Sequence, residues 1–272
     1  MSSLPLWGYG VVLVGSLVLS LVLVPVALAV AVRFGALDHP GPAKGHTKAV
    51  PYLGGAAIVV AFAAVVLVGN ALDPPPSGLP QLAGFLGLGV LLALVGLVDD
   101  LRGGLSPLLR LVLEAGAAVA VWAMGSDAHL AGVPSAVDAL VSVVWIVGVT
   151  NAFNLLDLRP GRALKVFVLL GAGLTAGTAE LRPLLSLGLF AGPALVAGGH
   201  DLREHGMLGD TGANLIGALA GLWLVLSLGS TGQIAALAVL LAINVYGELR
   251  SISALVQGSP LLRRLDSWGR PS

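Results

Sequence analysis

The chain has 272 residues, of which 57% belong to the apolar set AVILMFWYC and only 10% are charged. An ordinary soluble domain carries about 25% charged and about 45 to 50% apolar residues, so the composition excludes one and points to an integral membrane protein. Its 14 basic residues balance 14 acidic ones, which leaves no global field to attract nucleic acid, and the absence of cysteine removes both disulfides and a thiolate nucleophile.

Apolar runs broken by Pro, Gly and charge predict an all-α, polytopic bundle of nine spans, forming a single domain over residues 1–272. The spans fall near 7–32, 53–72, 81–98, 107–124, 138–152, 164–178, 182–199, 213–229 and 231–249. The first run follows no basic residue and is too long for a signal-peptide core, so it reads as a retained span. The runs lack the alternation of a barrel strand, which argues against a transmembrane β-barrel. Gly and Ala in abundance suit helices that approach closely, and an exposed flat face of such a bundle suits a homodimer among the membrane lipids. Every Lys and Arg except Arg182 falls on the side of the odd-numbered connections and the C-terminal tail. Basic loops stay inside, so this asymmetry places those loops and the C-terminus in the cytoplasm and the N-terminus outside.

The same face collects the polar residues capable of chemistry. The first group in chain order is the basic segment of Lys44, His46 and Lys48, running into Pro51-Tyr52-Leu53-Gly54-Gly55. It either holds phosphate or fixes topology. Next, Gly96-Leu97-Val98-Asp99-Asp100 ends an apolar helix on two adjacent carboxylates, which repel each other and demand a divalent cation, a basic partner or a shared proton. One turn after Arg110, Glu114 is expected to form an ion pair with it. Asn151, Asn154 and Asp157 recur at i, i+3 and i+6 and so share one side of a helix; their oxygens suit Mg²⁺, and their amides suit a sugar or nucleobase. Capping before the Arg159-Pro160-Gly161 turn is the alternative. Gly209-Asp210-Thr211-Gly212 opens the eighth span, where Asp210 is either an N-cap or a metal ligand. On the last span, Asn244 and Glu248 either line the site or hold structure, and His129 is expected outside and solvated.

In order and spacing, these four clusters resemble the polyprenyl-phosphate N-acetylhexosamine-1-phosphate transferases, over a region from about Asp38 to Ala220. The resemblance implies that a sugar 1-phosphate moves from a UDP-sugar to a polyprenyl phosphate lipid in the bacterial plasma membrane, with release of UMP and a requirement for Mg²⁺. Carried over position by position, Asn154 and Asp210 hold the metal. Asp99 and Asp100 sit at the reacting phosphates, as base or as further metal contacts. Lys48 matches a family lysine near the nucleotide, and Lys44, His46, Asn151 and Asp157 fall among the substrate contacts.

Departures from the family pattern are specific. After Asp157 the chain reads Leu158-Arg159-Pro160-Gly161-Arg162, so the Gly and second Asp of the family's Asp-Gly-x-Asp-Gly are missing. No His-rich loop follows Glu248, and Ala213 stands where a Ser is usual. The primary expectation is an active transferase with altered donor specificity, in which Arg159 and Arg162 take diphosphate contacts. A catalytically silent relative that binds the lipid phosphate as an envelope-assembly scaffold, and a lipid flippase or transporter, are the alternatives. Transport sites lie at the midplane, whereas these clusters lie at the membrane edge.

Overall fold

The structure is a computed structural model, and it describes residues 6–41, 46–72, 79–123, 134–178 and 193–270. Lys44, His129, Arg182, the connections at 73–78 and 124–133, the turn at Glu180 and the first part of the seventh predicted span lie outside the described residues. The elements in order are α1 (Leu6–Phe34), β1 (Leu37–Asp38), β2 (Val50–Pro51), α2 (Gly54–Leu72), α3 (Leu79–Arg102), α4 (Pro107–Ala123), α5 (Ser135–Leu156) and α6 (Arg162–Thr178). Helix α7 covers 193–201, followed by α8 (Gly209–Ser227), α9 (Ser230–Leu249), α10 (Ile252–Gly258) and α11 (Pro260–Ser267).

The protein is thus an all-α membrane protein. Three of the described helices, Leu13–Phe34, Ser135–Leu156 and Ser230–Leu249, are long and apolar enough to cross a bilayer. Their outward faces carry the apolar side chains a lipid contact requires, among them Val14, Val18, Leu21, Ile234, Val239 and Val245. Helix α3 runs two residues beyond Asp100, so the paired carboxylates lie within its last turn. The short helices α10 and α11 fall beyond every predicted span; a search for long apolar runs passes over helices of 7 and 8 residues.

Helix α8 is the axis of the bundle and packs chiefly against α3 and α5. Lipid is as apolar as a leucine side chain, so close contact between backbones has to supply much of the helix association. Glycines provide it here. A Cβ added at Gly96 would stand 2.2 Å from the Asp210 carbonyl oxygen, and one at Gly55 would stand 2.3 Å from the Leu208 oxygen and the Gly212 nitrogen. Below this seam Phe167 stacks on Trp223 at 4.8 Å, with Phe153 edge-on at 6.4 Å. The Trp145 indole donates to the Gly221 carbonyl at 3.2 Å. Asn244 donates to the carbonyls of Gly148 and Leu240, both at 2.8 Å, so its role is to tie α9 to α5.

Candidate active site

A helix start leaves backbone N–H groups without partners, and α8 has no capping side chain of its own, because Leu208 precedes it. Asp100 reaches across from α3 to fill that role. Its Oδ1 accepts from the Asp210 N–H at 2.9 Å, while Oδ2 accepts from the Thr211 N–H at 3.0 Å and the Thr211 hydroxyl at 2.7 Å. The positive end of the α8 dipole adds to this attraction. Gly209 holds the left-handed conformation that brings the chain in (φ 65°), and a Cβ there would meet both Asp100 oxygens within 3 Å. Asp210 is therefore no N-cap. It sits inside the first turn with its carboxylate free to act elsewhere.

Arg110 of α4 takes that carboxylate at 2.9 Å and also bonds Asp99, whose other oxygen accepts from the Leu105 N–H. The two adjacent acids are thus compensated separately, Asp99 by a guanidinium and Asp100 by a helix start. The expected Arg110–Glu114 pair does not form. Arg110 is drawn toward two carboxylates at the helix end, and both oxygens of fully buried Glu114 are left without a hydrogen-bond partner.

Asn154, near the end of α5, donates from Nδ2 to Asn214 Oδ1 at 2.8 Å, and Asn214 in turn donates to the Leu92 carbonyl at 2.9 Å. This fixes the amide so that the buried Asn154 Oδ1 has no protein partner. An unpartnered buried oxygen is costly unless a ligand or water completes it.

The remaining wall comes from two loops. His46 places Nε2 2.8 Å from Asp38 and Nδ1 2.8 Å from the Lys48 carbonyl, so acceptors face both ring nitrogens. Thr47 donates from its N–H and its hydroxyl to Glu204, at 3.1 and 2.9 Å, strapping this loop to the turn after α7. Across the opening, the turn after Asp157 is held where the Gly161 N–H donates to Asp201 at 2.7 Å.

Together these residues enclose a cavity of about 500 Å³ at the α3 and α8 ends. His46, Asp99, Asp100, Asn154, Asp157 and Asp210 all line it, which brings together six of the predicted site residues. Asn151, Lys48, Arg159 and Arg162 do not. Lys48 is exposed, and its backbone rather than its ammonium takes part. The expectation that Arg162 reaches a diphosphate meets a correction: its guanidinium is buried and spent on Asp266, at 2.7 and 3.1 Å, and on Ser253 at 3.1 Å. Arg159 buries its Nε without a partner.

The lining is strongly acidic, with seven Asp or Glu residues against His46 and Arg102. Burial, reinforced by Asp201, Asp210 and Asp100, holds the Asp157 carboxyl well above the usual carboxylate range. Burial, with Asp100 and Asp38 nearby, likewise raises the Tyr52 hydroxyl above its ordinary value. Such a cavity attracts cations. Among the described residues no three His, Asp or Glu side chains converge as a ready-made metal cage. One carboxylate and one amide oxygen still suit Mg²⁺, which ordinarily takes few protein ligands and completes its shell from phosphate and water.

Sequence reasoning did not find the roles of Arg110, Thr211, Asn214 or Asp201. Asn214 carried a signal, since a lone amide four residues after Asp210 in an apolar helix calls for a partner. The other three depend on distant contacts.

Three curated relatives align with the chain. A Bacillus subtilis protein named "Probable undecaprenyl-phosphate N-acetylglucosaminyl 1-phosphate transferase" is 28% identical over 162 residues, 57% of this chain and 44% of its own length. The decaprenyl-phosphate N-acetylglucosaminephosphotransferase of Mycolicibacterium smegmatis is 28% identical over 265 residues, 85% of this chain and 60% of its own. The undecaprenyl-phosphate alpha-N-acetylglucosaminyl 1-phosphate transferase of Thermotoga maritima is 33% identical over 124 residues, 44% and 36% of the two chains. The chain therefore spans between 36% and 60% of the length of these relatives. Residues 82–229, from α3 through α8 and so including Asp99, Asp100, Asn154 and Asp210, match glycosyl transferase family 4. With more than half of its length inside that match, the chain belongs to glycosyl transferase family 4.

Proposed function

We propose that this protein transfers a sugar 1-phosphate from a UDP-sugar, a UDP-N-acetylhexosamine by preference, to a membrane polyprenyl phosphate, releasing UMP. The reaction is Mg²⁺-dependent and serves envelope glycan synthesis in the bacterial plasma membrane. In this reading the chain crosses the bilayer nine times, with its N-terminus outside and the cavity and C-terminus on the cytoplasmic face. The observation that carries the proposal is the acidic cavity at the helix ends, in which Asp210 and an unpartnered Asn154 oxygen stand within the family-matched region.

A lipid phosphate oxygen bonds to the sugar-bearing phosphorus, and the bond from that phosphorus to the bridging oxygen breaks, its electrons leaving with UMP. A phosphate nucleophile is already anionic, so no side chain has to take a proton from it. The task left to the chain is to hold two anionic groups in line within an acidic cavity. Bound Mg²⁺ supplies neutralisation of the phosphate charge. Asn154 and Asp210 are the residues that hold it. Asp100 positions Asp210 by fixing the first turn of α8, and Asn214 positions Asn154 by occupying its amide nitrogen. Arg102 is the basic group on the lining that receives phosphate oxygens, while His46, with both ring nitrogens engaged by Asp38 and the Lys48 carbonyl, shapes the wall beside them.

One observation favours the silent scaffold as a second reading: Arg110 already neutralises Asp99 and Asp210 as a metal would. Purified protein in detergent with undecaprenyl phosphate, Mg²⁺ and a panel of UDP-sugars separates the two. The transferase releases UMP only with lipid phosphate and metal, and Asp210→Ala lowers the rate by about a hundredfold or more, the scale of a lost charge-stabilising group. No release across the panel, with an active relative in parallel, selects the scaffold. Full turnover by Asp210→Ala overturns the metal assignment.

A further inference from the structure

The C-terminal helices α10 and α11 lie outside the cavity and have no part in the proposed reaction. Their inner side is firmly anchored. Asp266 is buried and receives Arg162 from the first turn of α6 and Arg270 from its own tail, while Lys165 donates to the Asp266 carbonyl at 2.6 Å and Arg270 donates to the Pro160 carbonyl at 2.9 Å. These contacts hold α11 at the level where α5 ends and α6 begins, and α10 starts three residues after the last residue of α9. Both α5 and α9 are long and apolar enough to cross a bilayer, and with both crossing it, as in the nine-span reading proposed above, α11 is held at the bilayer boundary.

The outer side has a different chemistry. Leu261 and Leu265 stand four residues apart on one stripe of α11, and Trp268 caps its C-terminus. Their exposures are 67%, 40% and 74%. Leu249, at the end of α9, is 74% exposed and extends the apolar surface toward the span. Arg263 and Arg264 are both exposed, and among the described residues neither meets a carboxylate at ion-pairing distance. Exposed Leu and Trp beside adjacent guanidinium groups, on a short helix outside the long apolar helices, is the composition of an interfacial amphipathic element.

We propose that α10 and α11 lie in the membrane interface, with Leu261, Leu265 and Trp268 seated at the acyl-chain boundary and Arg263 and Arg264 bound to anionic lipid headgroups. The occupant of this face is the bilayer that the chain already crosses, and the paired guanidinium groups select its anionic lipids.

The test uses the full chain, one copy per nanodisc, in phosphatidylcholine with or without phosphatidylglycerol and with acyl chains brominated near the headgroup. The Trp268 signal is the difference in emission between the chain and Trp268→Phe. The expected result is that bromine quenches this signal by half or more in discs containing phosphatidylglycerol, and at least twofold less in phosphatidylcholine alone. The double variant Arg263→Gln/Arg264→Gln should lose the difference between the two lipids while keeping the same melting temperature in detergent. An unquenched Trp268 signal in every disc, or equal quenching with and without phosphatidylglycerol, overturns the proposal. So does a blue shift that occurs only with two chains per disc, which would assign the face to a second copy.

Discussion

At Gly96 there is no room between α3 and α8 for even one carbon atom, because the Asp210 carbonyl lies where a Cβ would go. Gly96→Ala therefore has to push the two helices apart at the turn where Asp100 and Asp210 meet. The expected loss is about 1 to 3 kcal/mol, the usual cost of overpacking, together with a fall in UMP release, and thermal unfolding in detergent checks the first. Gly10→Ala, with open space around it, should leave the melting temperature unchanged. Arg110 sets a second residue-scale expectation. Arg110→Gln leaves Asp99 and Asp210 without their shared cation, and because Arg110 and Asp210 are part-exposed the loss should fall below about 3 to 5 kcal/mol, the cost typical of a fully buried pair. A divalent ion that binds only the folded site should restore part of that stability, so millimolar Mg²⁺ should raise the melting temperature of Arg110→Gln more than that of the unaltered protein. Equal shifts would sink the idea that Arg110 and a metal serve the same carboxylates.

Among the elements, α11 contributes most for its length. Its Asp266 is the hub of a buried cluster that joins the tail to the turn at 157–162, and the Arg162 pair is the bidentate kind in which geometry and charge act together. Asp266→Asn should release the tail, seen as faster proteolysis near Ser251 and Ser259 and a lower melting temperature. Burial alone would raise the Asp266 carboxyl, but the hydrogen bonds from Arg162 and Arg270 outweigh it and hold it below its ordinary value. A depressed carboxyl contributes its stability in full above the unfolded value, near about 4, and loses it as pH falls through the lower folded value. Tail cleavage should accordingly stay constant from neutral pH down to about 4 and rise only below that. The same element marks where sequence reading stops. The apolar runs locate the long helices because hydropathy is a local property, and Gly-Leu-Val-Asp-Asp and Gly-Asp-Thr-Gly locate two walls of the cavity for the same reason. Arg162 and Asp266 lie 104 positions apart, and nothing local to either one announces the other. Of the two arginines expected at a diphosphate, Arg162 is thus a fair reading of one loop, corrected by a helix far along the chain. Asp100 and Thr211 make the same point inside the site: the carboxylate was legible, its use as a distant helix cap was not.

For the molecule as a whole, the distribution of charge is the basis for orientation, and the absence of cysteine makes that orientation directly measurable. Single cysteines at Gly229, before α9, and at Ser267, in α11, provide one probe for each face. In intact cells a membrane-impermeant maleimide should label Gly229→Cys, and Ser267→Cys only after permeabilisation. The reverse pattern would invert the topology and with it the side from which a soluble nucleotide sugar could enter the cavity.

The hydrogen bonds from α8 to Asp100 span 110 positions of chain, which carries a consequence for biogenesis. A nascent chain that has inserted α3 and α4 can pair Asp99 with Arg110 and the Leu105 N–H, but Asp100 lacks its partners at the membrane boundary until residues 210 and 211 have emerged. Contacts of such separation form late, and intermediates that wait for them are the ones prone to misassembly. Any premature stop before Thr211 would leave helices in the bilayer but no pocket. Quality control of this protein therefore has a defined window in which to act, between the synthesis of one aspartate and the arrival of the helix that receives it.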